Sequence, residues 1–294
     1  MRALILASIV ALAPAAVLAQ DPVAFLERAR KLGRWEEPTP PVRIAGPLYF
    51  VGTRGLSVYL LATPEGHILI NTGMPGSGPM IESAIRKLGL RPEDIRLLLA
   101  GHAHLDHVGA HAYMKRRSGA QIAMLAQEKE LFESGGKLDF HYGGYPQFAF
   151  EPAAVERVLR DGETITLGGL SITALLTAGH TRGATTFVTT LAHGGRRYAV
   201  VFPSGTSINP GYRLAGTPSY PGIADDMRRT VAVLAGLAPD IWLPAHSDVL
   251  ELESRRARSM VEGVHAWIDP RGYRRWVTGQ RMIVERALRK DSAP

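Results

Sequence analysis

Residues 101–107 read Gly101-His102-Ala103-His104-Leu105-Asp106-His107, which places three imidazoles and one carboxylate within six positions. Packing alone gives no reason for such a cluster, because every polar group withdrawn from water needs a partner. A divalent metal supplies one. Imidazole and carboxylate without sulfur suit zinc, with iron, manganese or cobalt as substitutes. The run before the cluster, Ile95 to Leu99, is apolar except for Arg96, as expected of a largely buried strand. The cluster is therefore expected at a strand's C-terminal end, with His102 and His104 leaving on one side at period two and Asp106 and His107 in the turn beyond. One metal cannot comfortably use all four, so two metals are the natural reading.

More distant ligands should then stand on turns at the same end of the fold. His180 lies 73 residues after His107, in Thr177-Ala178-Gly179-His180-Thr181-Arg182-Gly183, where glycines on both sides allow close backbone approach. His246 follows 66 residues later in Leu243-Pro244-Ala245-His246-Ser247, just past a short apolar run. His67, His111, His141, His193 and His265 lack such settings and read as surface or packing residues, His141 being the one whose position in a long loop leaves room for more.

Outward from the cluster, strands are expected over 46–51, 57–62 and 67–71, separated by turn residues such as Pro64-Glu65-Gly66. A helix over 80–88 carries Ile81, Ala84, Ile85 and Leu88 on one face and closes on Gly89. Past the cluster come a helix over 108–117, a strand over 121–125 and a helix over 127–132. Residues 134–152, rich in glycine and aromatics, are too long for an ordinary connection and suit a flap over a site. A second group follows: strands over 163–167, 170–176, 185–190 and 198–202, a helix over 222–237, a strand over 241–244, and helices over 251–264 and 270–288. Two groups of strands, each with helices outside, imply an α/β (α+β) fold built as a four-layer αββα sandwich.

The 294-residue chain is 46% hydrophobic and 21% charged, a globular composition. It has no cysteine, which excludes thiolate nucleophiles, iron–sulfur clusters and redox pairs and leaves chemistry to oxygen and imidazole. The formal charge is +7, but the arginines fall in short scattered pairs with acids between them, so a nucleic-acid partner is not expected. Residues 1–19 have a positive start, an apolar stretch and Val17-Leu18-Ala19 before Gln20, which reads as a secretory signal cleaved near Ala19-Gln20. An uncleaved membrane anchor is disfavoured by the shortness of the stretch and by Pro14. Residues 20–294 show no linker or repeat and are expected to form a single domain, exported to the periplasm.

The run His102-x-His104-x-Asp106-His107, with His180 and His246 in order, resembles the metallo-β-lactamase superfamily, whose fold is the αββα sandwich. Lactonase, glyoxalase-like and RNA-processing members carry a metal-bridging aspartate between the last two histidines. This chain has Phe202-Pro203-Ser204-Gly205-Thr206 there, with neither that carboxylate nor the cysteine of the first two β-lactamase subclasses. What remains is similar to subclass 3 of the class B β-lactamases, and the similarity extends to residues 63–73, Ser134-Gly135-Gly136-Lys137 with Asp139-Phe140-His141-Tyr142, Asn209-Pro210-Gly211-Tyr212, Tyr220-Pro221, and Asp269-Pro270 leading to Gly272-Tyr273-Arg274-Arg275. Gly205, Ala100-Gly101 and Ala178 depart from residues usual in that subclass.

Two zinc ions per chain are then expected, one held by His102, His104 and His180 and the other by Asp106, His107 and His246. Water between them becomes acidic enough to attack a β-lactam carbonyl as hydroxide, with Asp106 as the catalytic residue that orients it. Ser207 resembles the subclass's hydroxyl donor to the substrate carboxylate, or else caps a turn. The flap aromatics Phe140, Tyr142 and Tyr145 either cover substrate or close a small satellite core, and Asn71 either bonds a ligand or ends its strand. The resemblance thus implies a small-molecule β-lactam substrate and antibiotic resistance, with no stable membrane anchor. A lactone or phosphodiester hydrolase on the same scaffold, and a metal-binding protein without turnover, are the alternatives.

Overall fold

The computed structural model describes residues 21–291, so the signal read at residues 1–19 lies outside them. The described chain opens with helix α1 (Pro22–Leu32). The first sheet then takes its strands in chain order: β1 (Val42–Ala45), β2 (Leu48–Phe50), β3 (Tyr59–Thr63), β4 (Gly66–Ile70), β5 (Ile95–Leu99), β6 (Gln121–Leu125) and β7 (Arg157–Leu159). β1 to β4 pair antiparallel, and Thr63 meets Gly66 across a tight turn. From β4 to β7 the pairing is parallel, which requires crossovers, and helices supply them. α2 (Gly78–Lys87) leads to β5, while α3 (Leu105–Val108) and α4 (His111–Ser118) lead to β6, and α5 (Ala126–Glu133) follows it.

The second sheet contains β8 (Thr164–Leu167), β9 (Leu170–Leu176), β10 (Thr185–His193), β11 (Arg196–Phe202) and β12 (Ile241–Trp242), in the order β12-β11-β10-β9-β8. α6 (Ile223–Ala235) lies between β11 and β12, whose pairing is parallel. α7 (Leu252–Glu262) and α8 (Pro270–Asp291) follow.

Both sheets bury their inner faces against each other. Phe50, Tyr59, Leu61 and Leu99 from one meet Ile172, Ala174, Phe187 and Val200 from the other in one continuous cluster. Outside the first sheet, Leu60, Leu69 and Leu98 pack against Ile81 and Ile85 of α2 and Met114 of α4. Outside the second, Val201 and Trp242 meet Leu234 of α6 and Tyr273 and Val277 of α8. With each fully buried side chain of this size contributing roughly 1.5–3 kcal/mol, the expected four-layer αββα sandwich is the arrangement that buries both faces of both sheets. Among the described residues no helix is long and apolar enough to cross a membrane.

Three elements escape the sequence pattern. β1 and β7 span four and three residues, too short for an alternation to register. α1 buries only Leu26, although Phe25, Leu26, Ala29 and Leu32 fall at helical spacing; its pattern went unread. Its start is capped, since the Asp21 side chain accepts from Val23 N and Pro22 occupies the first turn.

The histidine run also differs from expectation. β5 stops at Leu99, so His102 and His104 lie in the loop after it and not on a strand edge; Asp106 and His107 belong to α3 and not to a turn. The helix expected over 108–117 comes in two pieces, because Gly109 N bonds to Gly73 O and Ala110 N to Thr72 Oγ1. Both amides are thereby taken out of the helical ladder.

Candidate metal centre

Four segments deliver their histidines to one end of the sandwich: the β5–α3 loop (His102, His104), α3 (Asp106, His107), the β9–β10 loop (His180) and the segment after β12 (His246). Backbone geometry fixes each. Asn71, at φ +64°, ends β4 and accepts from Gly101 N at 3.0 Å through Oδ1. Gly101 O in turn accepts from Thr185 N at 2.7 Å and from Ser204 Oγ at 3.1 Å. Ser57 N to Ala245 O and Ser247 N to Gly55 O bracket His246 with two bonds of 2.9 and 3.0 Å. Gly205 holds φ +91° with its Cα against the Thr177 carbonyl, where any Cβ would collide.

The polar contacts of the first three histidines settle which ring nitrogens face inward. His102 Nδ1 lies 3.2 Å from Ser204 Oγ, whose own proton goes to Gly101 O. Nδ1 therefore donates, and His102 Nε2, buried without a partner, keeps its lone pair. His180 Nδ1 donates to Ser207 O at 2.9 Å, leaving Nε2 as the acceptor. His104 Nε2 donates to Asp139 Oδ2 at 3.0 Å, which turns Nδ1 toward His180 Nε2 at 3.1 Å. Two ring nitrogens at that distance need a proton or a cation between them. His102, His104 and His180 thus offer three converging donor atoms, all within 4.8 Å of one another. This donor set fits a divalent metal.

Beside it, Asp106 Oδ2 stands 3.1 Å from His107 Nε2 and 3.5 Å from His246 Nε2. The compact grouping around Asp106 and His107 is completed by His102, and His246 joins through Asp106. The His102 and His107 rings lie 4.2 Å apart, so the two groups are contiguous.

Burial, then the neighbouring imidazoles, holds His102 and His246 below the ordinary histidine range, and burial with His104 brings His180 to about 3. These rings are neutral near pH 7, as metal ligands must be. His104 goes the other way: burial opposes its charge, but the hydrogen bond and negative charge of Asp139, together with the charges of Asp106 and Glu128, outweigh that and raise its pKa. Burial likewise opposes ionisation of Asp106, yet His107 and His246 hold it well below the usual carboxylate range.

The site opens into a cavity of about 200 Å³, lined by Trp35, Tyr142, Phe148 and Ser207 among others. Ser207 touches the site through its carbonyl, on His180 Nδ1, while its side chain is exposed at the rim. Tyr142 stacks on Phe148 with centroids 4.0 Å apart, and Phe140 packs on Tyr212 and Tyr220. Phe140, Tyr142 and Phe148 therefore belong to a satellite cluster whose inner edge, Tyr142 and Phe148, is cavity wall, while Tyr145 is exposed and part of neither. His111 is buried, with Nδ1 2.8 Å from Thr72 Oγ1, and packs below the site.

Sequence reasoning missed three contributors. Asp139 was legible only as part of a stretch similar to the subclass, with no role assigned to it, Glu128 only as a polar helix position, and Trp35, whose ring lies 5.6 Å from that of His246, belongs to the unread N-terminal segment.

A sequence profile of the metallo-β-lactamase superfamily matches residues 51–192. The native FEZ-1 metallo-β-lactamase of Legionella gormanii superposes with a TM-score of 0.85 at 36% identity, covering 88% of this chain and 98% of that one. The class B3 di-zinc metallo-β-lactamase LRA-12 from an Alaskan soil metagenome superposes at 0.82 with 32% identity, over 86% and 96% of the two chains. A probable metallo-hydrolase of Burkholderia pseudomallei is 35% identical over 165 residues, 55% of this chain. The chain spans about half, 54%, of that relative's length.

Proposed function

The chain belongs to the metallo-β-lactamase superfamily, and from that membership we propose that it is a subclass 3 β-lactamase using two zinc ions per chain. The observation that carries this reading lies between His180 and His246. Where lactonase-like relatives would need a metal-bridging carboxylate, this chain places Ser204 and Gly205, with the Ser204 hydroxyl on His102 and Gly205 pressed against Thr177. The pocket has no room at Gly205 for a side chain that could replace it. Likeness to named β-lactamases over nearly their whole length supports the same reading.

His102, His104 and His180 would hold one ion, and Asp106, His107 and His246 the other. Zinc supplies Lewis acidity and lowers the pKa of water enough for it to be a nucleophile near neutral pH. The protein's own groups do the rest. Asp106, ionised and flanked by His107 and His246, offers a carboxylate oxygen that orients the attacking water and accepts its proton. Asp139 fixes the His104 ring, and Ser207 O fixes that of His180. Tyr142 and Phe148 wall the cavity against bulk water, which strengthens every charge interaction inside. Ser207, at the rim, is placed to donate its hydroxyl to the carboxylate that β-lactam antibiotics carry near the ring nitrogen. Export to the periplasm, with residues 20–294 as one domain, and antibiotic resistance complete the proposal.

The test is kcat/KM for a carboxylate-bearing β-lactam and a neutral lactone, in the unaltered protein and in Ser207→Ala. The variant should raise KM for the β-lactam a few-fold, equivalent to about 1 kcal/mol of lost hydrogen bonding, and leave any lactone hydrolysis unchanged. Faster turnover of the lactone than of every β-lactam tried would replace this reading with a lactonase.

A further inference from the structure

We propose that Glu128 is a positioning residue for the three-histidine site, its carboxylate clasping the loop that carries His102 and His104 to the loop that carries His180. Glu128 lies on α5, is 2% exposed, and belongs to none of the ligand sets above. Its Oε1 accepts from Ala103 N at 2.5 Å and from Thr181 Oγ1 at 2.9 Å. Its Oε2 accepts from Thr181 Oγ1 at 2.8 Å and from Gly183 N at 2.9 Å. Ala103 stands between two candidate ligands and Thr181 directly follows a third, so every leg of the clasp ends within three residues of a histidine.

Several features set this apart from incidental satisfaction of a buried acid. The two loops belong to different sheets, and this one side chain bonds to both. Gly183 is glycine where any Cβ would collide with the Glu128 backbone nitrogen, so the chain has given up a side chain to let the loop approach. Phe132 and Leu131 root α5 in the core beneath the first sheet, which gives the clasp a rigid base. Among the described residues no lysine or arginine pairs with Glu128. A buried anion held by neutral donors alone is costly, and cations bound between the loops would offset that cost.

A carboxylate is required by the donor pattern. Both oxygens face a backbone N–H, so in Glu128→Gln the amide NH₂ must oppose either Ala103 N–H or Gly183 N–H, and one loop is released whichever way the group turns. Partners that orient metal ligands typically change affinity by about 10–100-fold when lost. The inference rests on the metal-centre reading and not on a β-lactam being the substrate.

The experiment titrates the metal-free full chain with cobalt(II) and zinc against a chromophoric chelator, recording the cobalt visible spectrum and the urea midpoint of the metal-free form. His180→Ala and His246→Ala identify which spectral band and which affinity belong to each site. Glu128→Gln should lower affinity at the three-histidine site at least tenfold and alter its cobalt band, with the other site changed less than threefold. Affinities within threefold of the unaltered protein at both sites would overturn the proposal, as would equal losses at both sites that track a loss of stability. If Glu128→Gln does not fold, Thr181→Val, which removes only the hydroxyl shared by both oxygens, is held to the same site-selective loss. If the unaltered protein itself holds no metal through His180, the metal-centre reading fails instead, and the two failures are distinguishable.

Discussion

At the scale of single residues, the centre depends on which atom of each side chain is left free. His102 and His180 present Nε2 to the site because Ser204 and Ser207 O take the other nitrogen, and His104 presents Nδ1 because Asp139 takes Nε2. None of this is readable from spacing, which identifies ligands but not their tautomers. Asp106→Asn preserves shape and removes the charge between His107 and His246. Turnover measured at saturating zinc should fall about 10²-fold or more, and unchanged turnover would remove Asp106 from the chemistry. Gly205→Ala tests the left-handed turn against Thr177. With strain and collision together it should cost about 2 kcal/mol or more of stability, seen as a lower urea midpoint with an unaltered slope. A midpoint equal to that of the unaltered protein would mean that the turn relaxes freely.

At the scale of elements, the strand β5 and the histidine run after it were legible because an apolar run and a polar cluster are both strong local signals. Where the run sits was less so. The strand ends three residues before His102, and α3 is set apart from α4 by bonds that Gly109 N and Ala110 N donate to Gly73 O and Thr72 Oγ1, distant residues that no local pattern announces. The flap shows the same limit: its glycine and aromatic content marked it as special, but only the fold reveals that Tyr142 stacks on Phe148 and accepts from Asn209 Nδ2. It is tied to the 205–220 segment, so Phe148→Ala should loosen one wall of the cavity. Loss of a half-buried ring and its stacking partner should cost about 1–2 kcal/mol. KM should rise several-fold with kcat within twofold; a drop in kcat alone would place Phe148 nearer the chemistry than the structure does.

At the scale of the whole molecule, the sandwich gathers neutral imidazoles at one end, and that has a consequence for pH. Burial holds His111, like His180, at about 3 in the folded chain, against roughly 6.5 when unfolded. Between those values the unfolded chain binds more protons, so stability falls as pH drops from about 6.5 toward 3. His102 and His246, also lowered, add to this, and Asp106 and Asp139, lowered too, extend the loss below about 4. His104 and Glu128, both raised, act in the opposite sense, their contributions being lost as pH rises, but they are two groups against several. The urea midpoint of the chelated protein should therefore fall steadily from pH 7 to pH 4, and a flat or rising profile would contradict these buried neutral histidines.

The central claim is that this end of the sandwich is a metal centre built for β-lactam hydrolysis, and its most direct test is one assay. Purified protein is given a chromogenic cephalosporin before chelation, after chelation, and after zinc is restored in counted equivalents. The account predicts hydrolysis that is abolished by the chelator and regained in full as zinc approaches two ions per chain. Hydrolysis that survives chelation, or no hydrolysis of this substrate by protein shown to hold two zinc ions, would contradict it.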